Sequence, residues 1–120
     1  MKKILLIDDN EELGRLLCAA FAKDFRVLCA KDLAGGRDLF AKKKPDLTLL
    51  DIELPDGNGV ELLGELLRAS PKALIVMLSA NDQLEMAREA MRRGACEYVC
   101  KPFSMDHLRE LIARRLSARP

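Results

Sequence analysis

The 120-residue sequence lacks several features that would assign it to a familiar class of protein. It has no apolar run close to the roughly 20 residues that a membrane-spanning helix needs. The N-terminal apolar run at residues 4–7 is ended by two aspartates, so we expect neither a membrane span nor an export signal. Twenty basic and nineteen acidic residues leave a net charge of +1, which gives no overall field to attract nucleic acid.

Metal-binding and disulfide patterns are also missing. The single histidine, His107, has no second histidine with which to bind a metal, and we expect it on the solvated surface. Aromatic residues are 4% of the chain and do not interleave with the basic side chains near the C-terminus, so we expect no direct contact with nucleic acid there. No C-x-x-C pair occurs, and in a cytoplasmic protein we expect four reduced, packed thiols at Cys18, Cys29, Cys96 and Cys100.

The composition is that of a soluble globular protein, with 49% hydrophobic and 32% charged residues. Short apolar runs alternate with amphipathic segments five times along the chain. Three runs are continuously apolar, as expected for strands covered on both faces, and they lie at residues 4–7, 47–50 and 73–78. Two more polar runs, at residues 25–29 and 97–100, are typical of edge strands.

A segment with helical character follows each run. Asn10 and Asp32 are the predicted N-caps of the first two helices, and Gly35 and Gly36 weaken the helical tendency of the second. The apolar stripes predicted to face the core are Leu13, Leu16, Leu17, Ala20 and Phe21; Val60, Leu63, Leu66 and Leu67; Leu84, Ala87 and Met91; and Leu108, Leu111, Ile112 and Leu116.

Strict alternation of strands and helices predicts a parallel sheet with right-handed crossovers. Five such units are too few for an eight-stranded barrel. We therefore expect an α/β fold, a doubly wound five-stranded parallel sheet with helices on both faces, in a single domain over residues 1–120. Residues 117–120 are typical of the start of a linker.

Polar residues stand at the predicted carboxyl ends of the strands, where open α/β sheets bind ligands. Asp8 and Asp9 follow the first strand, and Asp51 follows the third. Ser79 ends the fourth strand and Lys101 follows the fifth. Any one aspartate could simply cap the next helix, but capping does not explain a lysine and a hydroxyl at the same edge. Three converging carboxylates need a cation among them, and hard oxygen ligands favour Mg²⁺.

Four short motifs strengthen this interpretation and occur in a fixed order. They are Ile-Asp-Asp-Asn at residues 7–10, Asp51-x-x-Leu54-Pro55 followed by Gly59, Ser79-Ala80, and Lys101-Pro102-Phe103. In these motifs the chain resembles the receiver domains of bacterial two-component response regulators (CheY-like), from residue 3 to about residue 116. The resemblance implies the flavodoxin-like strand order 2-1-3-4-5, a cis Lys101–Pro102 bond and a phosphoacceptor signalling domain of the cytoplasm that is not an enzyme.

The resemblance also implies a role for each polar residue at this edge. Asp51 is the expected phosphoacceptor nucleophile. Mg²⁺ is expected to bind Asp9 directly and Asp8 through water, together with Asp51 and the backbone carbonyl of Glu53. Ser79 is expected to donate its hydroxyl to a phosphoryl oxygen, and Lys101 to pair first with Asp51 and then with the phosphoryl group. Tyr98, which on residue type alone could be a packed aromatic, occupies the switch position that works with Ser79.

The implied partners are a sensor histidine kinase and either an output domain or a separate downstream protein. Phosphorylation is expected to change the face formed by the fourth helix, the fifth strand and the fifth helix (the α4-β5-α5 face), through which a homodimer could form. Transcription regulation is a plausible output. The polar side chains expected on that face are Arg88, Arg92, Arg93, Glu97 and Arg109.

Three alternatives remain from the sequence alone. A Mg²⁺-dependent phosphatase with an aspartate nucleophile would place that residue after the first strand and need a longer chain. A flavodoxin-type FMN carrier would need a Gly/Ser/Thr-rich loop where residues 8–12 carry four acids. A receiver that only docks would not need the complete polar set. The side chain of Glu53 is expected to point toward the phosphoryl group, where it could deter the donor, strengthen Mg²⁺ binding or orient the hydrolytic water.

Overall fold

The computed structural model describes residues 1–118, and within them a main sheet of five strands alternates with five α-helices. The strands are β1 (Lys2–Ile7), β2 (Phe25–Ala30), β3 (Leu47–Asp51), β4 (Ile75–Ser79) and β5 (Glu97–Cys100). The helices are α1 (Glu11–Phe21), α2 (Leu33–Lys43), α3 (Gly59–Ala69), α4 (Leu84–Arg92) and α5 (Met105–Ala118). A 3₁₀ turn, Asn81–Gln83, precedes α4, and a two-residue antiparallel ribbon, Glu53–Leu54 with Gly57–Asn58, precedes α3.

The strand order is β2-β1-β3-β4-β5 with every neighbouring pair parallel, which confirms the predicted doubly wound, flavodoxin-like sheet. Successive residues of a strand point to opposite faces of the sheet. In β1, Leu5 and Ile7 pack in a core with α2, α3 and α4, whereas Ile4 and Leu6 pack in a second core with α1 and α5. The continuous apolar runs in the sequence follow from this burial on both faces.

The helix starts match the capping residues that the sequence indicated. The Asn10 side chain accepts a hydrogen bond from the Leu13 amide at 3.1 Å, and Asp32 accepts one from the Gly35 amide at 2.7 Å. The α2 helix forms despite its two glycines. A Cβ atom on Gly36 would lie 2.6 Å from Cδ1 of Ile7, so a glycine lets α2 approach the sheet closely.

Some local predictions were wrong. Leu16 and Met91 were predicted to face the core but are exposed. The buried stripe of α1 contains Leu17 and Phe21, and Leu16 is rotated by about 100° from Leu17 around the helix axis. The cysteines at positions 18 and 29 are exposed rather than packed; one lies on α1 and the other near the end of the edge strand β2.

At the C-terminus, Ser117 and Ala118 belong to α5 rather than to a linker, and residues 119 and 120 lie outside the described part. His107 is exposed, as expected. The Lys101–Pro102 peptide bond is cis, as the resemblance implied. Among residues 1–118, no helix combines the length and the apolar character that a bilayer crossing demands.

Candidate functional site

The predicted site residues meet at one edge of the sheet because parallel strands all end there. Asp51 is the last residue of β3, and Asp8 follows β1 directly. The Asp8 amide still donates to the carbonyl of Ala30 at 3.0 Å, so the neighbouring β2 fixes the start of this loop. Ser79 ends β4, and its carbonyl accepts a 2.7 Å hydrogen bond from the Lys101 amide after β5. The sheet itself therefore positions these four residues.

Three carboxylates converge at this edge. Asp8, Asp9 and Asp51 each present an oxygen atom, and all three oxygens lie within 4.8 Å of one another. Asp8 and Asp51 are buried, whereas Asp9 is exposed. A cavity of about 390 Å³ opens beside Asp9 and Asp51 and is also lined by Glu53, Leu54, Pro55, Ala80, Gln83 and Lys101.

Lys101 contacts two of these carboxylates. Its Nζ lies 2.6 Å from Oδ2 of Asp8 and 3.3 Å from Oδ2 of Asp51. The contact with Asp51 is the one that the sequence analysis expected, and the shorter contact with Asp8 was not anticipated. The side chain of Asp8 is fully buried, so the lysine provides a charge that this carboxylate cannot obtain from solvent.

The surroundings of Asp51 make its ionised form unfavourable. Burial raises the pKa of its carboxyl, and the negative charge of Asp8 raises it further; Lys101 opposes this shift without cancelling it. For Lys101, burial alone would lower the pKa, but the hydrogen bond to Asp8 and the charge of Asp51 outweigh that effect and raise it. One lysine thus stays charged beside three carboxylates, and the cluster favours a further cation.

The donor set fits a magnesium ion. Mg²⁺ prefers carboxylate and carbonyl oxygens and keeps several water ligands. Both oxygens of Asp8 already accept protein hydrogen bonds, Oδ1 from the Asn10 amide at 2.9 Å and Oδ2 from Lys101. Asp9 is exposed and lines the cavity. This arrangement fits a direct ligand at Asp9 and a water-mediated one at Asp8.

In this conformation the side chains of Ser79 and Tyr98 contact other parts of the protein. The Ser79 side chain is fully buried, and its hydroxyl donates a 3.8 Å hydrogen bond to Sγ of Cys100 on the neighbouring strand. Tyr98 on β5 is half-buried and packs against the core that includes α4. The structure therefore brings together Asp8, Asp9, Asp51 and Lys101, while the Ser79 hydroxyl points elsewhere.

Gln83 is a cavity residue that the sequence analysis missed. Its Oε1 accepts a 2.8 Å hydrogen bond from the Ala80 amide, and its Nε2 donates one of 3.1 Å to Oε2 of Glu53. The Glu53 side chain does line the cavity, as expected, but it is tied to the loop after β4. A capping-box signature could have indicated the first bond, but that signature requires serine or threonine where Ala80 stands.

The Gly59 of the quoted motif has a steric role beside the site. A Cβ atom at this position would overlap the carbonyl oxygen of Asp51, and the Gly59 amide donates a 2.6 Å hydrogen bond to the carbonyl of Ile52. The start of α3 is thus held tightly against the end of β3, which fixes the backbone that carries Asp51. Only glycine permits this approach.

The five side chains expected on the α4-β5-α5 face have different partners, and Glu97 pairs with Arg115 of α5 at 2.8 Å. Arg88, Arg92 and Arg93 form ion pairs with glutamates of α4 itself. Arg109 was assigned to this face and does not lie on it. Its guanidinium donates to the carbonyl of Ala20 at 2.6 Å and lies over the ring of Phe21, so it packs against α1. The geometry of α5 places this residue on the side that faces α1.

Comparisons with known proteins agree with this arrangement. A sequence profile described as "Response regulator receiver domain" matches residues 4–113. "Regulatory protein AtoC" of Escherichia coli is 35% identical over 97% of this chain, which spans only 25% of that relative. "Chemotaxis protein CheY" of Listeria monocytogenes is 30% identical, with 95% of this chain and 98% of the relative covered. A "response regulator receiver domain protein (CheY-like)" from Methanospirillum hungatei superimposes with a TM-score of 0.93 at 27% identity, covering 98% of this chain and 95% of that structure.

Proposed function

This chain belongs to the family of response regulator receiver domains, and on that premise we propose that Asp51 accepts a phosphoryl group from a sensor histidine kinase. The observation that carries the proposal is the burial of Asp51 beside Lys101 and two further aspartates at the end of β3. A carboxylate there is held in place by the sheet and opens onto a cavity large enough for a phosphoryl group.

In the proposed transfer, a carboxylate oxygen of Asp51 attacks phosphorus and forms an O–P bond. The bond from phosphorus to the donor breaks, and the donor histidine leaves with the electron pair of that bond. Transfer of this kind depends on positioning and on charge compensation at the peripheral phosphoryl oxygens. Lys101 supplies one positive charge within 3.3 Å of Asp51, and it can follow the charge from the carboxylate to the phosphoryl group.

The acidic cluster supports a Mg²⁺ requirement. Asp9 would be a direct ligand, Asp8 would act through water, and Asp51 and the backbone carbonyl of Glu53 would complete the protein ligands. When bound, Mg²⁺ supplies positive charge to the phosphoryl oxygens as a Lewis acid. The raised pKa of Asp51 favours this assignment, because the ionised nucleophile is stabilised when a second cation is present.

The experiment that tests the proposal is phosphorylation by a small acyl phosphate, followed by intact-mass measurement. One added phosphoryl group should appear with Mg²⁺ and disappear with a chelator. The matched control is Asp51→Asn, which keeps the size of the side chain and removes the nucleophile. If Asp51→Asn takes up the same group at the same rate, Asp51 is not the acceptor.

The two rival functions from the sequence have little support at this site. The Mg²⁺-dependent phosphatase would place its nucleophile after β1, but both oxygens of the buried Asp8 there already accept hydrogen bonds from Asn10 and Lys101. Asp51 at the end of β3, by contrast, lines the cavity. For an FMN carrier, the loop after β1 would have to bind phosphate, yet Glu11 and Glu12 occupy the first turn of α1. Two acids at that helix start repel a phosphate.

We infer that phosphorylation alters the α4-β5-α5 face of a single cytoplasmic domain over residues 1–120. The Ser79 hydroxyl now bonds to Cys100, and a phosphoryl group on Asp51 would offer it a stronger, charged acceptor. Rotation of Ser79 toward that group would free space for Tyr98 to turn inward. A histidine kinase upstream, and a second copy, an output domain or a downstream protein at this face, are the proposed partners.

A Ser79→Ala variant tests this link. At an equal load of phosphoryl group, or of a stable phosphoryl mimic, Ser79→Ala should associate more weakly with its partner or with itself than the parent does. Cys100→Ser is the matched control, because it preserves the Ser79 hydroxyl and changes only its present acceptor. Unchanged association in Ser79→Ala would show that the signal passes through Lys101 or the loop after β3.

A further inference from the structure

Two exposed cysteines, Cys18 and Cys29, lie on α1 and β2, which pack against each other. In β2, Phe25 and Val27 point toward the core under α1, and Cys29 continues this alternation at the edge of the sheet. A Cβ atom on Gly14 of α1 would lie 3.2 Å from Sγ of Cys29, so the helix passes directly over this thiol.

Cys18 lies one helical turn beyond Gly14 on the same side of α1, about 6 Å further along the helix axis. It is exposed, and so is Cys29. Burial of the sulfur, together with the charge and hydrogen bonding of the Cys18 thiol, raises the pKa of Cys29 to about 11. The two thiols are therefore neighbours, and the glycine at position 14 lets α1 approach the strand that carries Cys29 closely.

We propose that Cys18 and Cys29 form a redox-active dithiol that a low-molecular-weight disulfide converts into an intramolecular disulfide. The Cys18 thiolate attacks one sulfur of the small disulfide, forms a mixed disulfide and releases one thiol. The Cys29 thiolate then attacks the Cys18 sulfur and releases the second thiol. The protein loses two hydrogens, and one small disulfide is reduced to two thiols.

The order of these steps follows from the surroundings of each sulfur. Cys18 is exposed on α1, where a small disulfide can reach it. Cys29 has a small thiolate fraction at neutral pH because its pKa is raised, so ring closure is the slower step. The bond would join α1 to β2 at Cys29, which pairs in register with Leu6, two residues before Asp8.

The test is incubation of the chain with glutathione disulfide at neutral pH, followed by alkylation, trypsin digestion and mass spectrometry. The expected product links the tryptic peptides of residues 16–23 and 27–31, while Cys96 and Cys100 remain alkylated. The Cys29→Ser variant should retain a stable glutathione adduct at Cys18, because the resolving thiol is gone. Cys96→Ser is the matched control and should behave like the parent.

Two outcomes would overturn the proposal. In one, the parent accumulates separate adducts at positions 18 and 29 without the linked peptide. In the other, Cys29→Ser and the parent hold equal amounts of the adduct at Cys18, so Cys29 resolves nothing. Because no step involves Asp51 or a phosphoryl donor, neither outcome bears on the proposed phosphoacceptor function.

Discussion

The two ends of the sheet both carry acidic and basic side chains, but the carboxyl pKa is lowered at one end and raised at the other. At the amino ends of the strands lies a cavity of about 710 Å³, where Arg37 and Glu65 form an ion pair of 2.8 Å with both side chains well exposed. At the carboxyl ends the cavity is smaller, about 390 Å³, and Asp51 beside it is buried. The hydrogen bond from Arg37 lowers the pKa of Glu65, whereas burial raises the pKa of Asp51.

This difference supports our proposal that the carboxyl ends of the strands hold the phosphorylation site. At the amino end Arg37 and Glu65 pair with each other and remain exposed to water, so this pair requires no ligand. At the carboxyl end one lysine lies beside three carboxylates, so an excess of negative charge remains that destabilises the ionised cluster. Cavity volume alone would favour the amino end, whereas uncompensated buried charge favours the carboxyl end as the candidate site.

The largest expected effect is on phosphorylation in Lys101→Ala. Removing the lysine takes away a charge aimed at the transferred group, and we expect the rate with a small acyl phosphate to fall about 100-fold. Mg²⁺ binding should become tighter, because the cluster loses its competing cation. Rate measurement and metal titration on the same variant check both directions. Weaker Mg²⁺ binding in Lys101→Ala would contradict the charge balance described for this end.

A second effect separates the two aspartates of the loop after β1. Asp9→Asn should weaken Mg²⁺ binding about tenfold more than Asp8→Asn, because a direct ligand loses both its charge and its bond to the metal. Asp8 already accepts hydrogen bonds from Asn10 and Lys101, and its loss removes only part of the field. Metal titration of the two variants side by side decides the matter, and equal losses would mean that Asp8 also binds directly.

The third effect concerns stability without metal. In the presence of a chelator at pH 7, Asp51→Asn should be more stable than the parent by about 1 kcal/mol, a size common when a strained functional group is removed. The raised pKa means that the folded parent binds the proton of Asp51 more tightly than the unfolded chain does. The parent therefore loses stability, relative to the variant, as the pH rises above about 4.

Urea denaturation of both proteins at several pH values measures this difference. The advantage of Asp51→Asn should shrink as the pH is lowered toward 4, since Asp51 of the parent then becomes neutral. Saturating Mg²⁺ at pH 7 should also reduce it, because the metal stabilises the ionised parent. An advantage that stays constant with pH would mean that burial of the charge is not its cause.

The smallest effect is expected at the amino end. Arg37→Ala breaks the exposed ion pair with Glu65, and such pairs contribute little in water. We expect the urea midpoint, the Mg²⁺ affinity and the phosphorylation rate all to stay within experimental error of the parent. A clear change in phosphorylation would show that the two ends are coupled and that the comparison between them is incomplete.

Much of the fold could be predicted because local patterns and the packing agree. The alternation of apolar runs with helical stripes predicted the doubly wound parallel sheet, and the strand order came from the resemblance to receiver domains. Asn10 and Asp32 were identified as caps because an N-cap needs only a short polar side chain next to the helix start. The register of the sheet then brings Asp8 and Asp51 together without further information.

The errors arose where a side chain's environment depends on distant parts of the chain. Cys18 and Leu16 look like core residues by type, but both are exposed, and the buried residues of α1 are Gly14, Leu17 and Phe21. The bonds of Gln83 to Glu53 and Ala80 join two loops, and no periodic signal marks such a contact. The position of Arg109 against Phe21 depends on the rotation of α5, which its apolar stripe defines only roughly.

The central claim is that the phosphoryl group is accepted at the carboxyl ends of the strands, where the negative charge is not fully compensated. The most direct measurement is to locate that phosphoryl group in the protein. The protein is phosphorylated with a small acyl phosphate and Mg²⁺ and reduced with borohydride, which cleaves acyl phosphates. The modified residue is then identified by peptide mapping. The account predicts reduction at Asp51 alone, and reduction at Asp8, at Asp9 or at any carboxylate of the amino end would contradict it.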